Sequence, residues 1–384
     1  MLEVPLSLYV HIPWCIKKCP YCDFNSHELR SPLPEDQYID ALIADLQQQA
    51  NIVSGREIVS IFFGGGTPSL FSAKNIQRLL ISIEAHLSLA SDAEITIEAN
   101  PGTFDQQNFA GFRNAGVNRI SIGVQSFSND QLKELGRIHD AQTAIDAITA
   151  AKSAGFENIN IDLMYALPKQ TTQQAADDVE QAIKLDPTHI SYYQLTIEPN
   201  TRFYQHPPNL PNSESSWDMQ QHGVALLAQH GFQQYEVSAY AKNEFTCIHN
   251  TNYWQFGDYL GIGAGAHQKL SHVTSGEILR SDKPKHPQQY MQQALKQEPL
   301  ATPRVLQQDD LVFEFLLNAL RLKQGFNRQQ FEQRTGLMYE LLTTQLQHLC
   351  EEGLLLVETD RVQFSENGYR FLDELLQRVL PESA

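Results

Sequence analysis

Six short runs of strand-forming residues recur through the first half of the chain, at 6–11, 58–63, 94–98, 119–124, 158–163 and 189–195. Several are rich in Ile, Val, Phe and Tyr and are bounded by Gly, Pro or Asn. Helical spacing fills the gaps, as with Tyr38, Leu42 and Leu46 after the first run and Leu132 and Leu135 after the fourth. Ser128 with Gln131 three residues on predicts a capping box for that fourth helix. Strand and helix alternating six times demand right-handed crossovers and a parallel sheet, so the fold class is α/β. A doubly wound sheet and a partial barrel both satisfy the pattern. In either, ligands bind at the carboxyl ends of the strands. Polar residues collect there: Gly-Gly-Gly-Thr-Pro at 64–68, Glu98 with Asn100, Gln125 with Ser126, and Asp162.

Beyond the sixth run, residues 198–218 are rich in Pro, Asn and Ser and read as a linker or surface loop. A helical stretch at 217–231, a strand at 235–240 and a Gly-rich run at 258–267 follow. Pro284, Pro287, Pro299 and Pro303 mark a second boundary. From residue 309 the order is three helices, a short hairpin (354–358 and 361–364) and a last helix, a small winged-helix-like α+β unit. The division expected is 1–235, an extension at 236–300, and 301–384. That last unit is no DNA reader: 309–384 holds 13 acids against 7 bases, a net of −6, and phosphate recognition needs the reverse. The formal net charge of −17 over 384 residues points the same way for the whole chain, so no nucleic-acid partner is expected.

No apolar run approaches the ~20 residues that span a bilayer, and the opening Met1-Leu2-Glu3 has an acid where a signal peptide has Lys or Arg. A cytoplasmic protein is expected. Of its five cysteines three crowd into eight positions, Cys15, Cys19 and Cys22. Such clustering in a reducing compartment means metal or redox chemistry. Three thiolates spaced C-x3-C-x2-C on one loop after a strand can ligate three irons of a 4Fe–4S cubane and leave the fourth open. A zinc site completed by His11, His27 or Asp23 is the alternative, although zinc motifs pair two such units and no second one exists. The glycines at 64–66 permit close backbone approach to a ligand, or a tight turn.

With the cysteine loop, Gly-Gly-Gly-Thr-Pro, Glu98, Gln125, Arg137 and Asp162 assembled, the chain resembles the radical S-adenosylmethionine (SAM) proteins related to oxygen-independent coproporphyrinogen III oxidase. The resemblance runs nearly end to end. It implies a partial (β/α)6 TIM-like barrel with the cluster at its mouth and SAM across the strand ends. It further implies that Tyr9 flanks the cofactor and Tyr21 packs on adenine. Gly65, Gly66 and Thr67 approach the methionine end, and Glu98, Gln125, Arg137 and Asp162 contact amino, carboxylate and ribose groups. A guanidinium clamping a carboxylate makes such a role physically sensible. Gly261 to His267 corresponds to a stretch that helps close the cofactor site, with His267 beside SAM or serving as a second heme ligand.

Three departures from the oxidase pattern single out one branch. Phe24 stands where the oxidases carry a fourth cysteine, only five residues precede the first strand, and the segment His249-Asn250-Thr-Asn-Tyr253-Trp254 is present. These are similar to the heme chaperone branch, HemW. Membership implies binding of heme as cargo and its transfer to respiratory apoproteins, with no oxidase activity. Transient approach to the membrane and a homodimer are compatible with this. Neutral imidazole is the commonest protein ligand of heme iron, and Tyr253 and Trp254 would line the porphyrin. On chemistry alone His249 and these aromatics equally suit a packed core, and Cys247 is an alternative thiolate. Oxidative decarboxylation of coproporphyrinogen III remains the rival activity; no side chain is assigned a catalytic role.

Overall fold

The computed structural model describes residues 4–243, 245–272, 275–358 and 360–378; the extreme ends, to which the targeting and charge arguments partly refer, lie outside them. The six expected strands are β1 (Leu6–Ile12), β2 (Glu57–Gly65), β3 (Ser88–Ala99), β4 (Arg119–Gln125), β5 (Asn158–Tyr165) and β6 (His189–Gln194). They lie side by side in chain order and all parallel. The crossovers are the helices α1 (Glu35–Gln49), α2 (Ala73–His86), α3 (Thr103–Asn114), α4 (Asn129–Glu134), α5 (Ala141–Ser153) and α6 (Thr172–Lys184).

Period-two alternation decides what each face of this sheet does. Leu6, Leu8, Val10 and Ile12, Ile61 and Phe63, Ile95 and Ile97, Ile120 and Ile122, and Ile159 and Ile161 pack against the helices in one continuous core. Apart from Phe62, the residues between them are polar. Ser60 Oγ donates to Ser7 Oγ at 2.7 Å, and Asn160 donates to Ser121 Oγ at 2.8 Å. His189 Nδ1 lies 2.6 Å from Asn160 Oδ1. A closed barrel fills its interior with branched apolar layers. Here the inner face is polar, which suits a sheet curved around a ligand.

The sheet is larger than the six units. Strands β7 (Phe232–Glu236), β8 (Ala239–Lys242), β9 (Asp258–Ile262), β10 (His267–Ser271), β11 (Ile278–Asp282) and β12 (Arg304–Val305) bring it to twelve strands. The order is β12-β11-β10-β9-β1-β2-β3-β4-β5-β6-β8-β7, with β9 parallel to β1 and the added outer strands antiparallel. Three sequence expectations are corrected. The Gly-rich run contains a seventh parallel strand, because Gly261 allows a close approach that a Cβ would forbid, at 2.1 Å from the His267 carbonyl. The strand expected at 235–240 is two strands turning at Val237-Ser238. The loop expected at 198–218 includes the start of a helix, Ser213–Gln229, capped by Asn212 Oδ1.

A fourth correction concerns α4. Ser128 does precede it, but makes no side-chain cap; its amide instead donates to Ser126 Oγ, and Gln131 Oε1 is buried without a partner. The C-terminal unit has its own core. Phe315 and Leu316 of α8 (Gln308–Ala319; α7 is Ile248–Trp254) pack with Phe326, Phe331, Leu342 and Val362, with Phe256 from the turn after α7, and with Ile278 from the large sheet. A three-stranded antiparallel sheet, Phe326–Asn327, Arg361–Phe364 and Leu355–Glu358 in that order, forms the wing. Among the described residues no helix is long and apolar enough to cross a membrane.

Candidate cofactor and ligand cleft

The cysteine loop leaves β1 at Pro13 and returns at Leu29, whose amide donates to the Cys15 carbonyl at 2.9 Å. Two amide bonds stitch it to the glycine segment, Gly66 N–H to Ile12 O at 2.7 Å and Thr67 N–H to Trp14 O at 2.8 Å. A side chain at Gly66 would lie 2.5 Å from the Trp14 carbonyl, so this joint demands glycine. All three cysteines are free thiols, half-buried. Burial pushes Cys15 and Cys22 above the ordinary thiol range. Arg137 Nη1 donates to Cys19 Sγ at 3.5 Å, and its Nη2 donates to Asn100 Oδ1 and Gly123 O, each at 2.7 Å. Asn100 in turn donates to Thr67 Oγ1 at 2.8 Å. Cations and amide donors around sulfur suit thiolates bound to iron. Phe24, two residues past Cys22, is 63% exposed, so the loop has three sulfurs to offer and no fourth. The zinc alternative loses its best completing ligand, because both ring nitrogens of His11 are engaged, by Tyr9 Oη and the Asn25 carbonyl, each at 2.9 Å.

Glu98 stands at the end of β3 and accepts from Gly65 N–H at 3.2 Å. Burial, reinforced by the charge of Asp162, pushes its carboxyl up to about 8. Asp162 accepts from Asn160 and Ser121 and is raised by burial too. Gln125 takes a left-handed backbone (φ 71°) and accepts from Tyr193 Oη at 2.7 Å. Tyr9, Gly65, Glu98 and Cys22 line one large cleft of about 1640 Å³. Cys19, Thr67, Asn100 and Arg137 line a smaller cavity on the other side of the loop. Tyr21 is on neither lining, but its hydroxyl hydrogen-bonds to Cys19 and lies near Arg137, while its ring is 6.3 Å from that of Phe203. Asn100 and Tyr193 belong to this constellation although no role was expected of them. Asn100 was visible as a strand-end polar residue; Tyr193 carried no signal beyond its strand.

The same cleft is lined by α7 and its surroundings, His249, Asn250, Tyr253, Trp254 and Tyr259, with His267 also on the lining; the His249 ring lies 6.2 Å from that of Tyr9. His249 is fixed from three sides. Its amide donates to Glu94 Oε1 at 3.2 Å, its ring lies 4.9 Å from that of Phe62, and Nδ1 sits 3.2 Å from Ser60 Oγ. Ser60 already donates its one proton to Ser7, so Nδ1 carries the proton and Nε2 keeps the lone pair. Burial, and secondarily Arg119, push the ring down to about 3; it is neutral at any physiological pH. Tyr253 packs 4.9 Å from Trp254 and 5.1 Å from Tyr259. Cys247 is excluded as a ligand. It is fully buried, donates to Glu94 Oε1 at 3.4 Å, and burial pushes its thiol up to about 12.

Residues 9–182 match the Radical SAM superfamily and residues 306–371 the HemN C-terminal domain. The chain is 48% identical to the heme chaperone HemW of Haemophilus influenzae over 98% of both chains. It is 49% identical to that of Escherichia coli over 98% of this chain and 99% of the relative. Coproporphyrinogen III oxidase (HemN) from Escherichia coli, a radical SAM enzyme, superposes with a TM-score of 0.83 at 26% identity, covering 99% of this chain and 91% of the other. The α/β fold is that of radical SAM proteins, and the superfamily implies a 4Fe–4S cluster and SAM as cofactors. The near end-to-end match with so many shared residues places the chain in the HemW family of the radical SAM superfamily.

Proposed function

We propose that this protein binds heme and passes it to respiratory apoproteins, on a scaffold that holds a 4Fe–4S cluster through Cys15, Cys19 and Cys22. The observation that carries the reading is His249: a neutral imidazole, oriented by Ser60, with Nε2 free to ligate iron on the wall of a cleft of about 1640 Å³. Tyr253 and Trp254 supply apolar surface for the porphyrin face. A single axial ligand holds a cargo that must leave again. His267 is exposed on the same lining and faces the SAM side beside His11.

The cluster and SAM, when bound, supply one-electron reductive chemistry at a sulfonium. The chain's part is to hold them. Arg137 and Thr67 would donate to cluster sulfur, and Gly65 and Gly66 let the backbone approach the methionine end. Glu98 receives the amino group, while Gln125, Asp162 and Tyr9 order the remaining polar contacts around the nucleoside. Phe24 in place of a fourth cysteine, and the family relationship, favour the carrier over oxidative decarboxylation of coproporphyrinogen III. On this reading the protein works in the cytoplasm, approaches the bilayer only when meeting its acceptors, and is organised as a barrel (1–235), a capping extension (236–300) and a C-terminal unit (301–384). A homodimer is compatible with it.

Titration with ferric heme, followed by Soret absorbance, tests the carrier. Stoichiometric binding by the native chain is expected, with affinity lowered at least about tenfold in His249→Ala, the usual scale for one buried ligand contact. A native chain that takes up no heme rejects the reading.

A further inference from the structure

Strands β11 and β12 place two arginines directly opposite each other, Arg280 and Arg304, with Cα atoms ~5 Å apart as antiparallel pairing requires. Both line the large cleft. Each is held by a carboxylate of the C-terminal unit. Arg280 donates through Nε and Nη2 to Glu314 Oε2 at 2.8 and 2.6 Å, and Arg304 Nη1 donates to Asp310 Oδ2 at 2.9 Å. Asp310 and Glu314 stand four residues apart on α8, one above the other on a single face. Arg280 also donates to Tyr259 Oη and lies over that ring, 5.5 Å from its centroid. Tyr259 packs against Tyr253, one helical turn from His249. A continuous aromatic wall therefore joins the imidazole to the paired arginines.

Resting on the heme-binding reading, we propose that Arg280 and Arg304 form the subsite for the two side-chain carboxylates of the porphyrin, and that Glu314 and Asp310 fill this subsite until cargo arrives. Two carboxylates on one rigid helix stand in for two carboxylates on one rigid ring. Guanidinium is suited to either, since it presents forked donors to a planar carboxylate. The exchange conserves ion pairs, so anchoring the cargo costs α8 its grip on the sheet edge. Loading thereby frees α8 at this edge, while the apolar contacts with Phe256 and Ile278 keep the C-terminal unit docked, and an acceptor that restores the α8 contacts would drive the cargo out.

The test compares heme with heme dimethyl ester, which keeps the iron and the ring but lacks both charges, on the full-length chain. The native protein should bind heme about tenfold or more tighter than the diester. Arg280→Gln should erase that preference while leaving diester binding, and its dependence on His249, unchanged. Glu314→Gln removes the competitor and should strengthen heme binding severalfold without altering the diester, a gain that misfolding cannot produce. Equal binding of heme and diester by the native chain, or a Glu314→Gln protein weakened as much as Arg280→Gln, overturns the subsite and leaves the carrier intact. Failure to bind either ligand overturns both.

Discussion

His249 and Glu98 are two buried titratable groups pushed in the direction their proposed tasks require. Burial holds the imidazole near 3, so protons do not compete with iron for Nε2 until far below physiological pH. Heme affinity should accordingly stay flat between about pH 5.5 and 8, where an ordinary histidine of pKa ~6.5 would lose about tenfold at the acid end; a fall of that size in Soret titrations would show that His249 is solvated. Glu98, raised to about 8, is protonated in the free site at pH 7. Pairing with the ammonium of SAM needs the carboxylate, so binding expels a proton. SAM affinity should rise about tenfold per unit as pH climbs toward 8, with proton release visible in calorimetry across buffers of different ionisation enthalpy. Glu98→Gln should abolish both the release and the pH slope.

The elements around the site were legible to different degrees, for physical reasons. The six βα units announced themselves because one strand face is uniformly branched and apolar while the other carries Ser, Tyr, Glu, Asn or His. The parallel strand Asp258–Ile262 hid behind a run of glycines of two kinds: Gly261 is there for close packing against β10, while Gly263 and Gly265, with φ of 107° and 79°, make the turn that follows. The turn at Val237-Ser238 contains no Gly, Asn or Pro to mark it, so two strands read as one. Ser128 showed the composition of a cap without its geometry, since Ser126 holds its amide. The cysteine loop was readable as three thiols clustered on one loop after the first strand. The joint that aims it was not, because amide bonds from Gly66 and Thr67 leave no trace in composition. Gly66→Ala forces a methyl group against the Trp14 carbonyl and should displace the loop. Anaerobically reconstituted protein should then hold several-fold less iron and sulfide, while far-ultraviolet circular dichroism stays native.

For the whole molecule, the buried titratable groups set a stability optimum. The carboxyls of Glu98 and Asp178 are raised to about 8 and about 7. The folded state keeps protons that the unfolded chain releases, so their stabilisation is complete below about pH 4 and is lost as pH rises through 7–8. His139, His189 and His249 are lowered by burial, so they favour the fold above about pH 6.5 and oppose it below. Above about pH 7.5 the histidines are neutral in both states while the carboxyls still titrate, so the stability of the ligand-free chain, read as its melting temperature, should fall from about pH 7.5 to 8, each titrating carboxyl contributing at most ~1.4 kcal/mol per pH unit. Glu98→Gln should flatten the alkaline limb; a melting temperature that climbs from about pH 7.5 to 8 would contradict the assignment of buried neutral carboxyls. The docking of the C-terminal unit through Phe256 and Ile278 was not legible, because two isolated apolar residues among turns and short strands carry no periodicity.

Strand β3 has one further consequence. Glu94 grips the amides of Ile248 and His249 at the head of α7, and Glu98, four residues along the same strand and on the same face, reaches the glycine segment beside the cysteine loop. A single rigid rod thus touches the supports of both ligands. Any sliding of that rod on filling one end of the cleft is felt at the other, and thermodynamic reciprocity fixes the exchange rate: the factor by which SAM alters the hold on heme is the factor by which heme alters the hold on SAM.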